Sequence, residues 1–294
     1  MNYGKRILGI DIGGTKIHMG VVQNGELLNN CIIPTPSASS MDQILSELVA
    51  AAESLMVENV AGIGVGVPGL VDEEKGMVYS LLNIPSWKEV PLKKHLEDHL
   101  NLPACIANDA NSFAAGVKVY GQGGNYKNML GLTLGTGLGT GIIIDNKIYS
   151  GNFSCAGEFG RIPYLGRTLE DYCSGKFFTE QFGLSGKRLN DLAEIGDSHA
   201  LQIFSQYGYH LGNAIKIMVY ALSPEAVFLG GSIAEGYQYY AQSVRDTLGN
   251  SPLHMVTTSV ILEKSELKNA AILGAAAIFY INNFLSSHDL TFPS

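Results

Sequence analysis

Leu8-Gly-Ile-Asp-Ile-Gly-Gly-Thr-Lys-Ile17 is an apolar, β-branched run broken by Gly13-Gly14-Thr15-Lys16, after which alternation resumes through Ile17, Met19 and Val21. It reads as a strand, a tight turn and a returning strand. Asn24-Gly25 then has the chemistry of a two-residue reversal, leading into Leu27–Ile33. The backbone N–H groups of a Gly-Gly-Thr turn can form a concave cradle for phosphate oxygens, to which the Thr15 hydroxyl and Lys16 ammonium add donors. Asp11, at the end of the first strand, is well placed to hold a hydrated metal beside such a phosphate. An ordinary Gly-rich hairpin could carry the same residues.

The device occurs twice. Asn128-Met-Leu-Gly-Leu-Thr-Leu-Gly-Thr-Gly-Leu-Gly-Thr-Gly-Ile-Ile-Ile-Asp145 is again a strand, a Gly/Thr turn holding Thr136 and Gly137, and a strand, followed by a short turn at Asn146. Two such units suggest two similar halves facing one nucleotide. The pair resembles the phosphate-binding loops of the actin-like ATPase superfamily, which includes hexokinases, glycerol kinases and chaperone ATPases. Within it the chain is similar, over nearly its whole length, to the ROK group of repressors and kinases. The resemblance implies an α/β, two-lobed actin-like ATPase (ribonuclease H-like) fold, each lobe a mixed β-sheet flanked by helices. One lobe would take residues 1–115 plus 270–294, and the other 116–269.

Composition bounds the rest. A chain of 294 residues with 46% hydrophobic content can bury a large core. A net charge of −8 argues against a nucleic-acid surface, which needs clustered Lys and Arg. No apolar run approaches the ~20 residues of a membrane span, and the first apolar segment contains Asp11 and lacks a small-residue cleavage site. Cysteines 31, 105, 155 and 173 show no C-x-x-C pairing, which fits thiols in a cytoplasmic protein better than a disulfide framework.

Along the chain, Ser40-Met-Asp-Gln43 has the form of a capping box opening a helix with Ile44, Leu45, Leu48, Val49, Leu55 and Met56 on one face. Val60–Leu70 is a buried-strand pattern whose Gly64, Gly66 and Gly69 fit G-x-G-x-x-G. The dinucleotide reading fails there, because a turn and not a helix follows. Trp87, the only Trp, reads as packing. A helix beginning near Pro91 turns Leu92, Leu96 and Leu100 inward. A strand then ends in Asn108-Asp109, and a small-residue helix starts at once. Asp109 could be that helix's N-cap, or a carboxylate at a strand's end where α/β folds gather ligands. Phosphoryl transfer to an alcohol needs such a carboxylate to take the hydroxyl proton. Residues 197–222 read as one or two helices, Ala226–Ile233 as a buried strand into a Gly-Gly turn, Val256–Leu262 as the last strand and Asn269–Phe279 as a helix.

The resemblance assigns roles residue by residue. Asp109 would be the catalytic base. Gly69, Asn83, Asn108, Asp109, Glu158 and Glu170 would contact a sugar, although Asn83 equally suits turn chemistry. Asp11, Gly13, Gly14, Thr15, Lys16, Thr136, Gly137, Gly230 and Gly231 would bind ATP, with Asp11 facing Mg²⁺ through water. Cys155-Ala-Gly-Glu-Phe-Gly-Arg161 has Arg161 where ROK kinases have a zinc-ligating His, and the family's cysteine module is missing before Leu169-Glu170. Four tetrahedral ligands cannot be assembled locally, so no zinc is expected. Arg161 could enter the pocket and pair with Glu158, or turn outward and brace the gap by pairing with Glu170 or Asp171. The implied activity is ATP- and Mg²⁺-dependent phosphorylation of a hexose, with the 6-hydroxyl of glucose first, by a cytoplasmic homodimer that binds neither nucleic acid nor membrane. N-acetylmannosamine, N-acetylglucosamine and fructose are alternative substrates. A sugar-sensing regulator, or a chaperone-like ATPase, is the reading from another class.

Overall fold

The computed structural model describes residues 4–79, 81 and 84–284. The quoted stretch folds as read. Strand β1 (Arg6–Ile12) turns at Gly13-Gly14-Thr15 into β2 (Lys16–Gln23), and Asn24-Gly25, both at positive φ, reverse the chain into β3 (Glu26–Pro34). Helix α1 (Met41–Leu55) opens on Ser40, whose side chain accepts from the Gln43 amide. Strand β4 (Val60–Val67) is followed by a small meander of β5 (Leu70–Asp72), β6 (Met77–Tyr79) and β7 (Glu89–Val90). Then come α2 (Leu92–Leu100), β8 (Ala104–Asn108) and α3 (Asp109–Tyr120). The sheet runs β3-β2-β1-β4-β8, antiparallel through β1 and parallel from β1 to β8.

Both faces of that sheet are covered, so its central strands are apolar on both sides. On one face Ile44 and Leu48 of α1 and Leu92 and Leu96 of α2 pack on Leu8, Ile10, Ile63 and Val65, with Trp87 buried among them. On the other face Ala115 and Val119 of α3 meet Ile7 and Val22.

The second sheet repeats the same order. Strands β9 (Met129–Leu134), β10 (Leu138–Ile144) and β11 (Lys147–Ile148) come first in the chain, with tight turns at Thr136 and at Asp145-Asn146. After a short hairpin of β12 (Pro163–Tyr164) and β13 (Arg167–Thr168) the chain is helical: α4 (Leu169–Cys173), α5 (Gly175–Phe182), α6 (Gly186–Glu194) and a single 25-residue α7 (Ser198–Leu222) capped by Asp197. Strand β14 (Ala226–Gly230), α8 (Tyr237–Gly249), α9 (His254–Ser259) and β15 (Ile261–Lys264) follow. The order is β11-β10-β9-β14-β15, with β14 parallel to β9 and β15. Phe178, Phe204, Tyr207 and Tyr240 fill the space between α5, α7 and α8, with ring centroids 4.9–5.7 Å apart in adjacent pairs.

The expected last strand over Val256–Leu262 is corrected at its start. Residues 254–259 are a helical turn, and the strand begins at Ile261.

The chain ends its described part in α10 (Ala270–Phe284), packed beside α3 on the first sheet. The seam admits backbone only. A Cβ at Gly64 would collide with the Ala275 carbonyl, and one at Gly274 would lie 2.5 Å from the Ser112 carbonyl oxygen. The chain divides into two compact units: Met1–Asn125, Gly141–Ala156 and Glu266–Ser294 in one, Tyr126–Thr140 and Gly157–Ser265 in the other. No helix among the described residues is long and apolar enough to cross a membrane.

Candidate functional site

In the first unit the candidate residues gather at the C-terminal ends of the parallel strands β1, β4 and β8. Asp11 lies in register with Gly66, and Gly66 with Ala107, one residue before Asn108. The first turn is closed by the Gly13 amide donating to the Lys16 carbonyl at 2.9 Å. Thr35, just past the end of β3, secures it, with Oγ1 donating to the Gly13 carbonyl at 2.7 Å and its amide to the Thr15 carbonyl at 2.9 Å. Gly14, Thr15 and Lys16 therefore stand at the tip of a turn fixed at its base, with Thr15 and Lys16 exposed.

Asn108, not Asp109, caps α3. Its extended backbone lets Oδ1 accept from the Ala110 amide at 2.8 Å, while Nδ2 donates to the Gly69 carbonyl at 3.2 Å. One amide thus ties the Pro-Gly turn after β4 to the end of β8. Asp109 becomes the first helical residue, exposed, with its carboxylate at the helix N-terminus. The N-cap reading of Asp109 is corrected by that geometry: a residue already at helical φ/ψ cannot be the cap.

Asp11 and Asp109 feel each other. Partial burial, then the Asp109 charge, push the Asp11 carboxyl up to about 6, with Lys16 offsetting part of the rise. A pair of carboxylates is an oxygen-rich, negatively charged donor set of the kind a hydrated Mg²⁺ satisfies. Asn83 lies outside the described residues.

Glu73 is a partly buried acid on the turn after β5. Its Oε1 accepts from the Ser154 hydroxyl at 2.6 Å, and desolvation raises its proton affinity. Ser154 and Phe153 both take positive φ, so the bond steadies a strained segment just before Cys155. Nothing in the sequence reading singled out Glu73. A Glu in a polar Asp-Glu-Glu-Lys turn carries no distinguishing signal.

The second unit presents the other turn. The Gly135 amide donates to the Gly137 carbonyl at 3.1 Å, and the Gly175 amide to the Gly135 carbonyl at 2.7 Å. Glu170 braces it, with Oε2 accepting from the Leu138 amide at 3.2 Å and Oε1 from Lys176 Nζ at 2.6 Å. Gly137 lets this carboxylate approach the turn, since a Cβ there would sit 2.7 Å from Glu170 Oε2 and push it aside. A cavity of about 660 Å³ opens beside the turn, lined by Gly135 and Thr136, by Lys176 of α5, by Asn190 of α6 and by Ser232 and Glu235 after β14. Gly230 ends β14 buried, and Gly231 beside Ser232 takes φ 86° and leaves no room for a Cβ against the Leu134 backbone. The contribution of α5 and α6 escaped the sequence reading. The signal available was a polar face, Lys187, Asn190 and Asp191, on a helix capped by Ser185.

Glu158 is exposed, and its partner is Arg161, whose Nε lies 3.5 Å from Glu158 Oε2. Of the two pairings open to Arg161, the one with Glu170 or Asp171 is therefore corrected: Glu170 is taken by Lys176, and Asp171 by Arg167. Cys155 is exposed and Cys173 buried, and no group of three His, Cys, Asp or Glu side chains suited to a metal occurs among the described residues.

The chain is similar to known proteins along most of its length. It is 30% identical over 263 residues to a glucokinase of Streptomyces coelicolor, covering 78% of this chain and 82% of that one. It is also 30% identical over 240 residues to a xylose repressor of Bacillus spizizenii, covering 76% of this chain and 62% of the repressor. Among solved structures, a ROK family glucokinase from Streptomyces griseus, crystallised with glucose and AMPPNP, superposes with a TM-score of 0.75 at 28% identity over 92% of this chain and 98% of that one. The paired sheets and turns are those of the actin-like ATPase fold, and with a profile described as ROK family matching residues 7–281, the chain belongs to the ROK family.

Proposed function

We propose that this chain is an ATP-dependent hexose kinase that transfers the γ-phosphoryl group to a sugar hydroxyl, the 6-hydroxyl of glucose first among candidates. The observation that carries the reading is the Asp11–Asp109 pair at the C-terminal ends of β1 and β8, which flank β4, beside a Gly/Thr turn fixed at its base. Asp109 is the proton acceptor for the attacking hydroxyl, held in place by the Asn108 cap. Asp11 would hold Mg²⁺ through water, and the ion would supply charge neutralisation at the phosphates. Gly14, Thr15 and Lys16 in one unit and Thr136 and Gly137 in the other are the phosphate-binding turns. Gly230 and Gly231 lead directly into Ser232, which lines the 660 Å³ cavity, and are assigned as the adenosine turn. Asn108 and the exposed carboxylate of Glu158 are of the type a polyol needs, since sugar hydroxyls donate and accept at once.

The test is sugar-dependent ADP formation with ATP and Mg²⁺, across glucose, mannose, fructose, N-acetylglucosamine and N-acetylmannosamine. Turnover with one of them supports the reading and names the sugar. The similarity to xylose repressors supports a second reading, a sugar-sensing regulator. That reading is favoured by sugar binding in calorimetry with no ADP formed from any of the five.

A further inference from the structure

The pair Glu170–Lys176 has no place in the mechanism so far. Its geometry binds it to the nucleotide side. Lys176 is on the first turn of α5, and it lines the same cavity as Gly135 and Thr136 of the second turn. Its Nζ is anchored 2.6 Å from Glu170 Oε1, and the other oxygen of that carboxylate takes the Leu138 amide. One carboxylate therefore fixes both the backbone of the turn and the position of an ammonium beside it. The Lys176 side chain remains about two-fifths exposed, so the ammonium is tethered and not sequestered. A lysine held this way keeps donors to spare, because an ammonium has three and the Glu170 bond uses one.

We infer that Lys176 is a binding residue for the donor's diphosphate, and that Glu170 is the positioning residue that aims it. The inference rests on the kinase reading above and adds an electrostatic contact from the second unit that the Gly/Thr backbone lacks.

The experiment measures ADP affinity by calorimetry in the absence of sugar, alongside the KM values for ATP and sugar. Lys176→Met should weaken ADP about tenfold, the loss of one charge-assisted contact, and raise the KM for ATP similarly. The sugar KM should stay within about twofold. Lys176→Arg keeps the charge and should bind ADP within about threefold of wild type. Glu170→Gln can still accept the Leu138 amide but no longer anchors the ammonium, and should weaken ADP by a smaller factor than Lys176→Met. Thermal unfolding of each variant checks that it is folded, and the Arg variant carries the comparison if the Met variant is not. ADP affinity within twofold of wild type in folded Lys176→Met overturns the inference. So does an unmoved ADP affinity in folded Glu170→Gln, which would leave Glu170 without a positioning role for Lys176. Wild-type protein that binds no ADP would instead sink the kinase reading itself, before any variant is compared.

Discussion

Asp11→Asn should make the folded protein more stable above pH 6 while abolishing turnover. Partial burial and the neighbouring Asp109 raise the Asp11 carboxyl from its usual 3.8 to about 6. The folded state thus holds this proton more tightly than the unfolded chain does. The stability it contributes is complete below pH 3.8 and is lost as pH rises through about 6. At 1.36 kcal/mol per pH unit, that interval amounts to about 3 kcal/mol. Asp11 keeps some contact with water, and screening brings the expected gain from the neutral amide to about 1–3 kcal/mol. Urea unfolding in the presence of a chelator, at about pH 4.5 and about pH 8, reads it directly. The gain should be at least about twofold larger at the higher pH, where the wild-type carboxylate is ionised. It should also shrink in an Asp109→Asn background, because the Asp109 charge is the second cause of the shift. Equal or lower stability of Asp11→Asn at pH 8, or a gain independent of pH, would refute the reasoning. Retaining an acid at such a cost is expected where the site needs its charge.

Asp109→Asn should cut kcat by roughly 10²–10⁴-fold with ADP affinity unchanged; turnover within a few-fold of wild type would leave Asp109 only a helix-terminal charge. Gly274→Ala should lower stability by about 1–3 kcal/mol or more in thermal unfolding, because its Cβ would meet the Ser112 carbonyl, which is backbone and cannot rotate away. Leu165→Asn should raise stability by about 1 kcal/mol. Leu165 holds φ 48° at the tip of the β12–β13 hairpin and is 63% exposed, so relief of the left-handed strain outweighs the little burial lost.

The two Gly/Thr turns, the strand-end positions of Asp11 and Asp109 and the helix cap at Ser40 were legible because each is local: a turn residue, a cap or a strand end declares itself within a few positions. The shared 3-2-1-4-5 strand order was not, since register and neighbours are set by helices packing on the sheets. The error over Val256–Leu262 has a local cause. Its Val, Thr and Ile content reads as strand, but Thr257, Thr258 and Ser259 donate to the Leu248, His254 and Val256 carbonyls at 2.6–2.9 Å. Those side-chain bonds sustain a helical turn that composition disfavours. At Asn108-Asp109 two equally good capping residues stand side by side, and only the extended backbone of Asn108 decides between them.

Arg161 shows where reasoning from a missing element goes astray. A gap was expected, and the nearest uncommitted cation was expected to bridge it. The gap is instead filled by the β12–β13 hairpin, whose two-residue turn at Leu165-Gly166 places Arg167 four residues before Asp171. At that spacing Arg167 pairs with Asp171 at 3.3 Å and reaches Glu180 on α5 as well, while the Thr168 amide and hydroxyl fix Asp171 from the other side. Tyr164 adds a hydrogen bond between its hydroxyl and His210 Nδ1 at 3.1 Å and an edge contact to Tyr172. Exposed ion pairs of this kind contribute under about 1 kcal/mol each, so the tyrosines and the capping box at Thr168, not the arginine, hold most of the connection. Arg161 sits on a one-turn helix, where the residue three positions back is the carboxylate of Glu158, and proximity along the chain settles its partner. A charge on so short a helix reaches its neighbours in sequence before it reaches across a fold.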